Sequence, residues 1–236
     1  MPDARRHGSE DIAESVVGVS LFAEPAIEGC GLVFEKQLRA EGFTLIAGVD
    51  EVGRGCIAGP VVAAACILDP DQALPDGIDD SKKLDAEMRE TIAEQLKKVS
   101  VTYAIGQVEA DEIDRINILE ATKKAMLIAI AGLSPAADYL LIDALRLKQA
   151  TIPQKAIIKG DSISASIAAA SILAKTYRDA LLTSYDAQFP QYGFAGHKGY
   201  GCATHYSAIR EHGASELHRK SFKGVCEDAA QTPTLF

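Results

Sequence analysis

Hydrophobic and polar positions divide the chain into short apolar runs and longer amphipathic stretches. Residues 44–51 form a β-rich run that ends at the turn Gly53-Arg54-Gly55. After Gly59-Pro60, residues 61–68 are apolar without a break, the pattern of a strand buried on both faces. Residues 85–99 carry Met88, Ile92 and Leu96 at i, i+4 and i+8, one stripe of an amphipathic helix. A third strand is expected over 101–109. One long helix is expected over 111–133, with Ile113, Ile116, Leu127 and Ile130 facing the core. Residues 139–145 and 156–159 read as short strands. An alanine-rich helix follows over 162–188, bounded by Pro190, which cannot continue a helix. A short helix is expected over 32–38, and loops with short helices from Gly193 onward.

Hairpin-like strands come first and strand–helix alternation later. That order predicts an α/β fold with a mixed sheet and helices on both faces. The expected organisation is a peripheral arm over 1–42, a core over 43–190, a C-terminal substrate-binding region of helices and loops over 191–224, and a tail over 225–236.

Composition narrows the function classes. Of 236 residues, 47% are hydrophobic and 24% charged, which excludes a wholly disordered chain. The net charge of −9 is not that of a basic nucleic-acid coat. Yet residues 144–224 hold 11 Lys/Arg against 5 Asp/Glu, and the remainder 13 against 28. An acidic total thus hides a basic segment that can attract phosphates. The longest apolar run, 57–68, is too short to span a membrane. Cys30, Cys56, Cys66, Cys202 and Cys226 are odd in number and contain no CxxC pair. Neither a disulfide framework nor a zinc site is expected, and free thiols without a secretory signal point to the cytoplasm.

Candidate chemistry gathers at strand ends. Asp50 and Glu51 stand in VDEVGRG, Asp143 in LLIDAL and Asp161 in IIKGDS. Each follows an apolar run, and neighbouring strands lie about 4.8 Å apart. The acids can therefore meet in one small volume, where unpaired carboxylates repel one another. Hard divalent cations, Mg²⁺ or Mn²⁺, would neutralise them. Two such ions hydrolyse phosphodiesters. One difficulty is geometric: neighbours on a strand point to opposite faces. For Asp50 and Glu51 to share a site, the strand is expected to bend or stop near Glu51. Plain readings also exist. Asp161 can be a helix N-cap, and Asp143 a solvent-facing strand end.

Gly53 and Gly55 permit close approach of backbone to a ligand, and Arg54 offers a phosphate or carboxylate contact. No complete GxGxxG and no Walker motif is present.

Together these segments resemble the ribonuclease HII family. The stretch IAGVDEVGRGCIAGPVVAAACIL is similar to its opening motif, and DDSKKL to its basic loop. LLIDA and KGDSISASIAAASILAKTYRD are similar to its later acidic motifs. HKGYGCATH resembles its tyrosine motif, and HRKSF its C-terminal signature. The resemblance implies an RNase H-like fold with a helical C-terminal subdomain. It implies an endonuclease acting on RNA/DNA hybrid and on duplex DNA with embedded ribonucleotides. It would nick 5′ to a ribonucleotide and leave 3′-hydroxyl and 5′-phosphate ends. It assigns two divalent cations to Asp50, Glu51, Asp143 and Asp161, and reading of the ribose 2′-OH to Gly53, Arg54, Gly55 and Tyr200. Departures are Ala144 where glycine is common, Cys202 where threonine is common, and Ile163 in place of a polar residue.

Lys82, Lys83, Lys198 and Lys175 are candidate phosphate anchors. Helical periodicity places Asp161, Ser164, Ala168, Ser171 and Lys175 on one stripe, which makes Ser164 a substrate-contact candidate. His197, His205 and His218 in the tail are read as backbone or phosphate contacts rather than catalysts. The ending QTPTLF resembles a sliding-clamp peptide through Gln231, Leu235 and Phe236. Another RNase H-fold nuclease would share the acids but not the GRG turn with Tyr200. A non-catalytic hybrid-binding module would bind without divalent metal and would not nick.

Overall fold

In a computed structural model of the chain, the described residues are 30–78 and 84–226. Five strands form one mixed sheet. They are β1 (Ile46–Val52), β2 (Val61–Leu68), β3 (Ser100–Val108), β4 (Tyr139–Asp143) and β5 (Gln154–Ile157), in the order β3-β2-β1-β4-β5. The first three are antiparallel neighbours; β4 and β5 run parallel to β1. The C-terminal ends of β1, β4 and β5 therefore lie along one edge of the sheet.

The helices are α1 (Val33–Ala40), α2 (Ala86–Val99), α3 (Ala110–Ile116), α4 (Ile118–Ala131), α5 (Ala165–Gln188), α6 (Phe194–His197) and α7 (Ala203–His212). All of β2 is buried, because its alternate residues feed two cores. Val61, Ala63, Ala65 and Ile67 join Ala125, Met126 and Ala129 of α4. Val62, Ala64, Cys66 and Leu68 join α2 and α5. Small residues let the helices come close. A Cβ on Gly106 would stand 2.1 Å from the Ala125 carbonyl oxygen, and one on Gly48 2.0 Å from the Ser166 carbonyl carbon.

Four expectations need correction. The strand expected over 156–159 runs Gln154–Ile157, so Ile158 and Lys159 lie beyond it. The single helix over 111–133 is two helices. Asn117 between them adopts φ 71°, and its Oδ1 accepts the N–H groups of Leu119 and Glu120, capping α4. Strand β1 begins at Ile46 rather than Thr44, because Asp138 takes the N–H groups of Thr44 and Leu45. The long helix begins at Ala165 after a separate 3-10 turn, Gly160–Ser162.

The chain after Pro190 packs against the end of α5. Ile57, Ala58, Leu182, Tyr192, Phe194 and Ile209 share a core there. Asp114 of α3 ties down the C-terminal segment by accepting from the N–H groups of Lys220 and Ser221.

Candidate active site

Register decides how the acids meet. Val49 pairs with Ile142, so Asp50 stands level with Asp143 on the adjacent strand. Strand β1 pairs with β2 through Val52↔Val62 and stops there, one residue past Glu51, which meets the expectation of a stop near that residue. Strand β4 stops earlier, at Asp143, and Glu51 overhangs its end.

Asp50 is buried against α5. Its Oδ1 accepts the Glu51 N–H at 2.7 Å, and the Ser171 side chain also hydrogen-bonds it. Burial pushes its pKa well above the usual carboxylate range, and the charges of Glu51 and Asp143 add to the rise. Glu51 is also raised, by burial first; Arg54, 3.2 Å from its Oε1, opposes the rise, and Asp143 adds to it. Asp143 accepts the Gly160 N–H at 2.7 Å. That bond joins the end of β4 to the turn carrying Asp161, which is 5% exposed. The N-cap of α5 is Ser164, not Asp161.

The donor set fits hard divalent cations. Every candidate ligand is a carboxylate, and Glu51 Oε2 is buried without a hydrogen-bond partner. Among the described residues, no three His, Cys, Asp or Glu side chains are grouped so that they could hold a metal ion together. A metal such as Mg²⁺, which keeps several waters and takes one or two carboxylates, does not require such a group.

Beside the acids, the GRG turn and Tyr200 come together. Cys56 pairs with Tyr200 across an antiparallel bridge, and Ile57 N–H donates to the Gly199 carbonyl at 2.9 Å. Gly53 has φ 89°, and a Cβ there would stand 2.3 Å from Arg178 Nε; glycine is required on both counts. Arg54 and Gly55 are exposed. Tyr200 is 44% exposed, with Lys175 Nζ 5.8 Å from its ring centroid.

The candidate anchors divide. Lys175 pairs with Asp179 at 2.7 Å. Lys198 Nζ donates to Thr183 Oγ1 and to the Ala195 carbonyl. Lys82 and Lys83 lie outside the described residues. Ser164 departs from its expectation. It is fully buried and donates to Glu35 of α1. The helical stripe does not extend through the 3-10 turn, and Ser171 is the serine that reaches Asp50.

Sequence reasoning missed the supports of this end. Arg178 and Arg219 are both fully buried. Arg178 donates to the carbonyls of Ala58, Pro60 and Lys198. Arg219 donates to those of Arg54 and Gly59; burial and the Arg178 charge lower its pKa to about 10. The stripe Ser171–Lys175 continues to Arg178, a signal that was present but unused.

The histidines form a directed chain. Ser215 N–H donates to His218 Nδ1, which leaves His218 Nε2–H to donate to His205 Nε2 at 3.0 Å. His205 Nδ1–H then donates to the Tyr200 carbonyl at 2.8 Å. Both rings are held neutral, their pKa values lowered to about 4 chiefly by burial. They fix the Tyr200 backbone and are unsuited to act as bases there.

Comparison with known proteins agrees with this arrangement. The family model for ribonuclease HII matches residues 47–225. The ribonuclease HII of Syntrophotalea carbinolica is 50% identical over 203 residues, covering 86% of this chain and 97% of that protein. That of Chlamydia caviae is 56% identical over 194 residues, 82% of this chain and 91% of that protein. An Archaeoglobus fulgidus ribonuclease HII solved in complex with PCNA has a TM-score of 0.65 at 25% identity, covering 76% of this chain and 96% of that one. Among the described residues no helix is long and apolar enough to cross a membrane. Acids, GRG turn and tyrosine motif all fall within the matched span, and the chain belongs to the ribonuclease HII family, metal-dependent endonucleases of the ribonuclease H type that act on RNA/DNA hybrids.

Proposed function

We propose that this chain nicks the ribonucleotide-containing strand of RNA/DNA hybrid and of duplex DNA with embedded ribonucleotides. Cleavage falls 5′ to the ribonucleotide and leaves 3′-hydroxyl and 5′-phosphate ends. The observation that carries the reading is the level placement of Asp50 and Asp143, with Glu51 overhanging, beside the paired GRG turn and Tyr200.

Asp50, Glu51, Asp143 and Asp161 would hold two divalent cations, Mg²⁺ or Mn²⁺. Bound there, the cations would supply an activated water and charge stabilisation for the departing 3′-oxygen. Ser171 orients Asp50, and the Gly160 N–H orients Asp143. Arg54 holds Glu51, and its own carbonyl is held by Arg219. The exposed amide of Gly55 and the Tyr200 hydroxyl read the 2′-OH, the group that separates RNA from DNA at one position. Lys175 and Lys198 steady the Tyr200 side of the duplex. Residues 191–224 act as the substrate-binding region, and Lys82 and Lys83 add phosphate contacts.

The test is a duplex carrying one ribonucleotide, incubated with Mg²⁺ or Mn²⁺ beside the Asp143→Asn variant. A metal-dependent nick immediately 5′ of the ribonucleotide, absent in the variant, is expected. Retained binding with no nick under either metal overturns the reading. A clamp contact through Gln231, Leu235 and Phe236, which lie outside the described residues, draws support from the ending of the sequence and the PCNA complex of the archaeal relative. Removing residues 231–236 should abolish clamp binding; unchanged affinity rejects the contact.

A further inference from the structure

We propose that the exit of β5, Ile158 and Lys159, is a second nucleic-acid contact, on the side of the acids opposite Tyr200. It takes a backbone phosphate on Lys159 and the adjoining sugar on Ile158. The inference rests on the proposed cleavage site.

Four observations converge. First, Lys159 adopts φ 56° and ψ 39°, the left-handed region, where a side chain other than glycine is disfavoured by about 1–2 kcal/mol. Such strain persists where surrounding bonds over-determine it, and it clusters at functional sites. Here the Lys159 carbonyl accepts both the N–H and the Oγ of Ser162, at 3.1 and 2.8 Å. The next N–H, that of Gly160, is fixed to Asp143. The lysine is thus registered directly against a candidate metal ligand.

Second, the Lys159 side chain is exposed and makes no ion pair among the described residues. The same holds for the exposed Arg146 and Lys148 in the loop between β4 and β5. Six helical cations, Arg89, Lys97, Arg115, Lys123, Lys124 and Lys175, have carboxylate partners instead. Lys159 is thus an open cation beside the acids.

Third, Ile158 is 80% exposed, while the next large apolar side chain among the described residues is Met88 at 49%. Exposure of an apolar residue beside open cations suits a ligand with an apolar sugar face and a charged backbone. Fourth, sheet order places β4 between the GRG side and β5. Two strand spacings of about 4.8 Å separate β1 from β5. That is about 10 Å, the axial reach of about three phosphates on one strand. A duplex held at Tyr200 and crossing the acids runs onto Lys159.

The test is the salt dependence of binding to a duplex with one ribonucleotide, measured by fluorescence anisotropy alongside steady-state cleavage. Lys159→Gly removes the charge and also relieves the left-handed backbone, so it should melt no lower than the wild type. Its log Kd against log salt slope should fall by about one. Its KM should rise about tenfold with kcat within about twofold, and Lys159→Arg should restore both slope and KM. Ile158→Thr should raise KM about threefold without changing the slope. An unchanged slope and KM in Lys159→Gly overturns the inference. If the wild type binds without nicking, the proposed function fails, while the binding slope still decides this contact.

Discussion

The two halves of the site are built on opposite principles. At the acid end, three carboxylates face one another at the termini of β1 and β4, and one Glu51 oxygen is buried with nothing to bond. At the reading end, carbonyl groups of Arg54, Ala58, Gly59, Pro60 and Lys198 are each met by a buried guanidinium. The Tyr200 carbonyl is met by a histidine whose tautomer is fixed. One end is unfinished without a cation, and the other is largely bonded before substrate arrives, although Arg219 Nη2 is left without a partner. The difference teaches where this protein spends stability. It tolerates repulsion where a ligand will remove it, and it rigidifies the loop that must judge a single hydroxyl.

The largest expected effect breaks the acid end. Asp50→Asn should lower single-turnover cleavage by about three orders of magnitude, since metal-held charge supplies several kcal/mol. Without metal, the same variant should melt a few degrees higher, because one repelling charge is gone. A lower melting temperature would mean that the cluster is not repulsive. Next, Arg178→Met attacks the reading end. It strands three buried carbonyls, and chemical denaturation should show a loss of about 3–5 kcal/mol. A loss below about 1 kcal/mol would remove the argument for a rigid support.

The third prediction separates the ends by pH. His205 and His218 have folded pKa values of about 4, below the unfolded value of 6.5. The unfolded chain therefore binds more protons between these values. Their contribution is intact above pH 6.5 and is lost as pH falls toward 4. Unfolding in that window should take up roughly two protons from this pair. The difference in melting temperature between pH 7 and pH 5 should shrink in His218→Gln; an equal difference would show that the pair is not the sensor. The smallest effect concerns Ala144, which holds φ 50° just after Asp143. Ala144→Gly should stabilise by about 0.5–1 kcal/mol with unchanged kcat. That result would also explain why glycine is common at this position in the family.

Much of the acid end was legible because each acid closes an apolar run, a pattern that survives without any knowledge of neighbours. The pairing of Asp50 and Glu51 was not, since it depends on where β4 stops relative to β1. Ser164 and Ser171 share a sequence stripe, but only the position of the helix start selects Ser171. Arg178 and Arg219 carry no sequence signal of burial. Most of their partners are backbone carbonyls more than a hundred residues away, and carbonyls leave no mark in a sequence. Asn117 carried its signal, a helix-capping residue type, inside a run whose periodicity argued for continuity. The basic loop and the clamp-like ending fall outside the described residues.

Gly48 has a mechanical consequence. Strand β1 and helix α5 meet there backbone to backbone, with no side chain between them to compress or expand. Two residues along β1 stands Asp50, and five residues along α5 from Ser166 stands Ser171. Their separation is set by a hard stop rather than by a cushion of side chains. Warming should leave this gap nearly constant until the domain melts as a whole. The working temperature of the enzyme should then be limited by unfolding, with no earlier loss of alignment between acid and serine.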